Sequence, residues 1–453
     1  KLEVRTLALA TLLSLTAIAG GASLSLVDAV KAGNRVAVRT ILATPAGKAA
    51  INAAEADGTT PLHWATRADD VEVARALVAA GANANASTRL GVTPLSLAAS
   101  NANGDMVEIL LKAGADAKAV IKEGETVLMA AARTGNAKAV QLLIERGASV
   151  NAREDRLGET ALMWAVAENH PEAASVLIAH GANVNALTTD LKYTKDRFGL
   201  EGVLTILPHG HWSPLMYAAR QGSLEAAKVL VDAGADKNAR DPDLSTPAII
   251  AVLNGHYDVA AMLVERGADP NLADTSGMAV LYAAVDLNTP AEIYGRPNRK
   301  STSTISAIDL MKILIAHGAN VNAQLRAATV QRAHTPGDGL LGAGATPLMR
   351  AARSCVRNVC AFFLNSAGLG DISASLCTRG CSGPSMTNVE PKIVSMRVVK
   401  TSISTGGCPL PTACCNGNRT FAPSDRPIQF RCIVRTFSGQ PFSSVVASSN
   451  SSA

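Results

Sequence analysis

Before residue 355 the chain has no cysteine, and over its whole length aromatic residues make up only 3%. The first absence rules out disulfides and thiolate metal sites across most of the chain. The second rules out a core built on large rings, although apolar residues reach 48%, so Ala and Leu must fill a thin core. No G-x-S-x-G, Walker loop or H-E-x-x-H motif occurs, and no catalytic constellation converges in the sequence. The net charge of +5 is mild and argues neither for nor against a polyanionic partner, but the chain lacks the dense basic run with interleaved aromatics of a nucleic-acid binder. After residue 22 no apolar run is long enough for a membrane span.

What the chain does have is a period. T-P-L-H-W-A at Thr60 is followed by V-E-V-A-R-A-L-V and A-A-G-A-N-A-N-A, and the pattern returns at Thr93, Thr126, Thr160, Ser213 and Thr246, in steps of 33, 33, 34, 53 and 33. A second anchor recurs at Gly81, Gly114, Gly147, Gly181, Gly234, Gly267 and Gly318, and in six successive units it lies 21 residues after the first. A fixed period near 33 means stacked supersecondary units.

Each unit reads as a helix hairpin. Thr60 is a fitting N-cap, and Pro61 suits the first helical position, where a missing N–H costs nothing. Nine residues after the Thr position come Asp69, Gly135, Asn169, Gly222, Gly255 and Asn288, types that tolerate a left-handed turn; Ala102 breaks that rule and predicts a turn displaced toward Gly104. Second helices carry apolar residues at 3–4 spacing, such as Val107, Leu110 and Leu111, and end at the anchor glycines. One hairpin cannot bury its apolar face alone, whereas a row of them can.

These residues resemble the ankyrin repeat, over roughly residues 24–354: Thr60-Pro61-Leu62-His63, Thr93-Pro94-Leu95, Thr246-Pro247, Thr346-Pro347-Leu348 and the Gly-Ala-Asn/Asp anchors. The resemblance implies an all-α solenoid of L-shaped units with loop fingers, binding on a concave side. It also implies that His63 is structural and that residues closing each first helix face the groove. Those positions hold Arg67, Arg133, Arg220 and Arg353, with Ser100, Glu168, Gln221 and Asn254 nearby, and Val92, Glu125, Glu159, Trp212 and Met278 just ahead of the Thr position. Several Arg and one large aromatic suit an acidic or carboxylate-bearing protein partner. Trp64 and Trp164 share one repeat position and read as packing residues.

The expected organisation follows. Residues 1–22 have the charged start, apolar run and small-residue end of a secretory signal, the alternative being a helix packed on the first repeat. Residues 23–55 form a degenerate capping repeat, with Leu24, Val27 and Ala29 then Val36, Val38 and Leu42 as its apolar pattern. Repeats occupy 56–323, with insertions at 187–210 and 289–306, and an expanded finger and interrupted repeat fill 324–354. The insertions offer Tyr193, Phe198 and Tyr294, either as solvated loops or as partner-contacting lobes.

All eight cysteines and six of seven phenylalanines lie at 355 or beyond. Residues 355–453 are therefore either a Cys-rich secreted appendage with up to four disulfides, or the product of a shifted reading frame near codon 354. Shifting the codons of Val359–Phe363 by one register allows an apolar residue, Arg or Cys, then two apolar residues, a run that the missing second helix would suit.

Together these features predict an exported, periplasmic or secreted, non-catalytic scaffold without a cofactor. Alternatives are a regulatory subunit docking on a periplasmic enzyme, a metal- or ligand-binding protein using His209, His211 and the cysteines, and a host-directed effector.

Overall fold

The computed structural model describes residues 24–191, 197–200, 203–206, 210–288, 303–327 and 342–353, and two short strands, Phe430–Arg431 and Val446–Ala447. The expected signal at 1–22 and nearly all of the 355–453 tail lie outside these residues. The chain forms two compact units: Lys1–Asp269 with Arg299–Thr304, and Pro270–Asn298 with Ile305–Ala453.

In the first unit, first helices Pro61–Arg67, Pro94–Ser100, Val127–Arg133, Ala161–Ala167, Pro214–Gln221 and Pro247–Leu253 pack each on the next. Their second helices, Val71–Ala79, Gly104–Lys112, Ala137–Glu145, Pro171–Ala179, Leu224–Asp232 and Tyr257–Glu265, make a parallel row behind them. The close approach of the first row comes from one repeat position, five residues after the Thr. It is Ala65, Ala98, Ala131, Ala165, Ala218 and Ala251, every one fully buried. A larger side chain at such a site must displace its neighbours, at about 1–3 kcal/mol.

The helix starts are set by the anchor threonines. The Thr93 hydroxyl accepts the Ser96 N–H at 3.1 Å while the Ser96 hydroxyl accepts the Thr93 N–H at 3.0 Å, a reciprocal capping box. At Thr60 the partner is His63, whose Nδ1 accepts the Thr60 N–H (3.2 Å) and whose Nε2 reaches the Val92 carbonyl of the next repeat (3.1 Å). Burial holds the His63 ring below its usual pKa, consistent with a neutral ring doing both jobs. Second helices end in a Schellman motif: Gly81, at φ 99°, donates to Val78 and Ala82 donates to Leu77. The other six anchor glycines share that backbone.

Neighbouring repeats supply what these short helices lack. Carbonyls ending the first helices are taken by Asn101 (to Thr66, 2.9 Å), Thr134 (to Ala99, 3.0 Å), His170 (to Arg133, 3.0 Å) and Ser223 (to Ala167, 3.2 Å). An asparagine ladder joins the loops: Asn52, Asn85, Asn151, Asn185 and Asn238 each accept a backbone N–H of the next repeat, at 2.7–2.9 Å. Lys118 occupies the equivalent place in its repeat, and the ladder is interrupted there.

Several expectations change. The capping repeat has helices Leu26–Lys31 and Arg35–Leu42 plus a third, Pro45–Ala49. Its core is Leu26, Ala29, Val30, Val38 and Leu42, whereas Leu24 (47% exposed) and Val36 (73%) face solvent. Leu24 precedes the helix that starts after the Ser25 N-cap, and Val36 lies on the outer face of its helix. The second turn is not displaced toward Gly104. Ala102 itself adopts φ 56°, and Gly104 opens the next helix, where a Cβ would press on Asn136 and Lys138. The first insertion is more than a loop. It carries an antiparallel hairpin, β1 (Arg197–Leu200) paired with β2 (Val203–Ile206), above a bridge between Asp190 and Gly210. The end of the second insertion is also engaged: the Ser303 hydroxyl accepts the Tyr257 N–H at 2.6 Å and Thr304 bonds Asp258. His256, the local N-cap residue of Tyr257–Glu265, makes no side-chain cap bond, so Ser303 caps this helix from 46 residues away.

In the second unit, Val280–Asn288 packs on Ala307–Ala316 and on Pro347–Arg353. Asn271 continues the ladder there by accepting the Asn320 N–H at 2.7 Å. Buried Asp286 pairs with Arg350 Nε at 2.5 Å.

Two outcomes test this account. Ala102→Gly relieves the left-handed alanine and is expected to raise stability by about 0.5–1 kcal/mol, read as a higher urea midpoint with unchanged slope. Ser303→Ala is expected to cost about 1 kcal/mol and to speed hydrogen exchange at the Tyr257 and Asp258 amides; exchange unchanged there would refute the distant cap.

Candidate functional site

The predicted groove positions converge on the three tryptophans of the chain. Each indole is half-buried, and each carries a guanidinium: Arg67 over Trp64 (5.4 Å to the ring centre), Arg133 over Trp164 (5.2 Å) and Arg220 over Trp212 (5.4 Å). Such stacks contribute about 0.5–1 kcal/mol each when exposed. Arg67 stands three residues after Trp64 in one helix, and Arg220 eight residues after Trp212 in one repeat. Only the middle pair crosses between repeats: Arg133 is the seventh residue after its Thr, Trp164 the fourth after the next Thr, and adjoining first helices bring those places together. In the second unit the same two places hold Asp286 and Arg350, so the contact recurs there as a buried ion pair.

Two of the indole N–H groups are directed to carboxylates. Trp64 Nε1 donates to Glu55 Oε2 at 2.6 Å and Trp164 Nε1 to Glu159 Oε2 at 2.8 Å, while Asp241 lies close to the Trp212 side chain. The other Glu159 oxygen accepts the Tyr217 hydroxyl at 2.5 Å, and the Tyr217 ring meets Trp212 edge to face at 5.6 Å. One connected series therefore runs Arg133, Trp164, Glu159, Tyr217, Trp212, Arg220, across three repeats. Burial, then the Glu159 carboxylate, push the Tyr217 hydroxyl well above its usual pKa, which keeps it a donor. Burial, only partly offset by the Ser245 N–H, pushes Asp241 up to about 6.

Charge balance differs among the arginines. Arg133 faces Glu125 at 3.9 Å, whereas Arg67 and Arg220 form no ion pair among the described residues. Lys31 also lies over Trp64, at 4.6 Å, and pairs with Glu55 at 2.5 Å, so Trp64 carries two cations. The face is therefore mixed in charge, with exposed guanidiniums set among hydrogen-bonded carboxylates.

Arg67, Arg133, Arg220 and Trp212 thus share one kind of site. Trp64 and Trp164, expected as packing residues, line it as well, because the small alanines fill the space between helices and leave the rings at the surface. The sequence reading missed Tyr217, Glu159 as a hydrogen-bond hub, and Asp241. Tyr217 occupies the repeat position of Trp64 and Trp164, a signal available in the register. The carboxylate partners come from fingers and could not be read from spacing. Tyr193, Tyr294 and His209 lie outside the described residues, as does the Arg353 side chain; Phe198 lies on β1, with only its backbone described.

Among the described residues no three metal-ligating side chains come together, and no helix is long and apolar enough to cross a membrane. An open depression of about 430 Å³ between fingers is lined by Asn151, Arg153, Asn183 and Asn185, and the backbone links among these asparagines already engage three of them in the fold.

A family model described as Ankyrin repeats (3 copies) matches residues 26–121, 111–188 and 198–274. No curated protein matches the chain.

Asp241 gives the site a pH test. Its carboxyl titrates higher folded than unfolded, so folding binds a proton between about pH 4 and pH 6, and stability from this group is lost as pH rises through that window. Asp241→Asn keeps an acceptor but not the charge. Its melting temperature relative to wild type is expected to climb between about pH 4 and pH 6 and then level off; a difference independent of pH would contradict a buried, raised carboxyl.

Proposed function

The chain belongs to the ankyrin-repeat family, and from that premise we propose that it is a non-catalytic scaffold that captures a protein partner on its first-helix face. Ankyrin repeats generally mediate protein–protein interaction. The observation that carries the reading is the set of three half-buried indoles, each overlaid by an exposed guanidinium. Tryptophan and arginine are the residue types most enriched at binding hot spots. A guanidinium over a ring still has N–H groups to offer a carboxylate, and this supports a partner with acidic groups. The insertions at 187–210 and 289–306, with Tyr193, Phe198 and Tyr294, would widen the contact from loops that leave the helix rows intact. Export is part of the proposal, on the charged and apolar pattern of residues 1–22. So is the reading of residues 355–453 as out of frame.

Replacing Arg133 and Arg220 together by Glu tests the function. Partner capture from extracts of the source organism is expected to be lost, while the melting temperature falls by no more than the few degrees that two lost stacks account for. Undiminished capture by the folded double variant would overturn the proposal.

A further inference from the structure

We propose that the surface from Arg133 to Arg220 is a subsite for a partner segment presenting one large apolar side chain between two carboxylates; this rests on the interaction reading above and names the chemistry of its central contact. The floor of this surface is Trp164, Tyr217 and Trp212, linked through Glu159. Two of the three polar ring groups are already used, Trp164 Nε1 and the Tyr217 hydroxyl, both on Glu159. A partner therefore meets ring faces and edges that need no hydrogen bond there, which favours an apolar side chain. Desolvating Trp164 and Tyr217 leaves neither donor unpaired.

Beside the floor stand the two guanidiniums. Arg220 forms no ion pair among the described residues, and Glu125 is 3.9 Å from Arg133, at the edge of ion-pair reach. Both are held on indoles, so less side-chain freedom is lost when a carboxylate arrives. The inward carboxylates Glu159, Glu154 and Asp241 underlie the same region, which opposes a continuous row of phosphates and favours two discrete acids placed over the arginines. Arg75, exposed on the second helix Val71–Ala79 and stacked on no ring among the described residues, serves as the control.

The experiment uses the full chain and three fluorescein-labelled peptides in a Gly/Ser background: Glu-Gly-Phe-Gly-Glu, Gln-Gly-Phe-Gly-Gln and Glu-Gly-Ala-Gly-Glu. Binding is followed by anisotropy and, in a Trp64→Phe background, by the fluorescence of Trp164 and Trp212. The first peptide is expected to bind at least about tenfold more tightly than either control, with Arg133→Gln and Arg220→Gln each weakening it about tenfold and Arg75→Gln, on a second helix outside this surface, leaving it unchanged. Melting curves confirm that each variant is folded. Equal binding of the three peptides, no binding at all, or an Arg75→Gln loss as large as the others would overturn the subsite. If that happens while the Arg133/Arg220 double variant still loses its natural partner, the subsite alone falls; if that variant keeps the partner too, the interaction reading falls with it.

Discussion

The structure depends on repairing helix ends. An α-helix leaves four N–H and four C=O groups without internal partners, so a helix of seven residues, such as Pro61–Arg67, is nearly all ends. Alone it would be marginal in water. Here the terminal carbonyls of one repeat are met by Asn101, Thr134, His170 or Ser223 of the next, and loop amides by the asparagine ladder. Apolar burial drives the helices together, but these bonds fix their relative register, because a slipped neighbour would leave buried groups unpaired. Stability in this unit is thus held largely between repeats, as expected of a quasi-one-dimensional array.

The same repair decides what the surface can do. With the polar atoms of Trp64, Trp164 and Tyr217 turned to Glu55 and Glu159, the outward face is left with rings and guanidiniums. The two places that hold Arg133 and Trp164 hold Asp286 and Arg350 in the second unit, where the contact is buried. One geometric relation thus serves an exposed stack in one unit and a buried ion pair in the other, depending only on which residue types fill it.

Much of this was legible in the sequence. The Thr-Pro starts, the Gly-Ala-Asn stops and the intervening apolar spacing gave each helix of the regular repeats, because those features act within a few residues. That Arg67, Arg133 and Arg220 share one repeat position followed from register. What sequence reasoning lost was whatever needs a partner far along the chain. Ala102 keeps its left-handed turn because the helices on both sides dictate it, against its own preference. Val36 looks like a core residue until the neighbouring helix is placed, and the Glu159 hub draws donors from residues 164 and 217.

The distant cap at Ser303 has a consequence for how this chain can vary. Because Ser303 and Thr304 are tied to the start of Tyr257–Glu265, the first turn of that helix depends on a residue 46 positions further along the chain. Repeat register alone would never pair the two. A change of length between them must therefore bring the same hydroxyl back to the Tyr257 amide, or the helix start loses its acceptor.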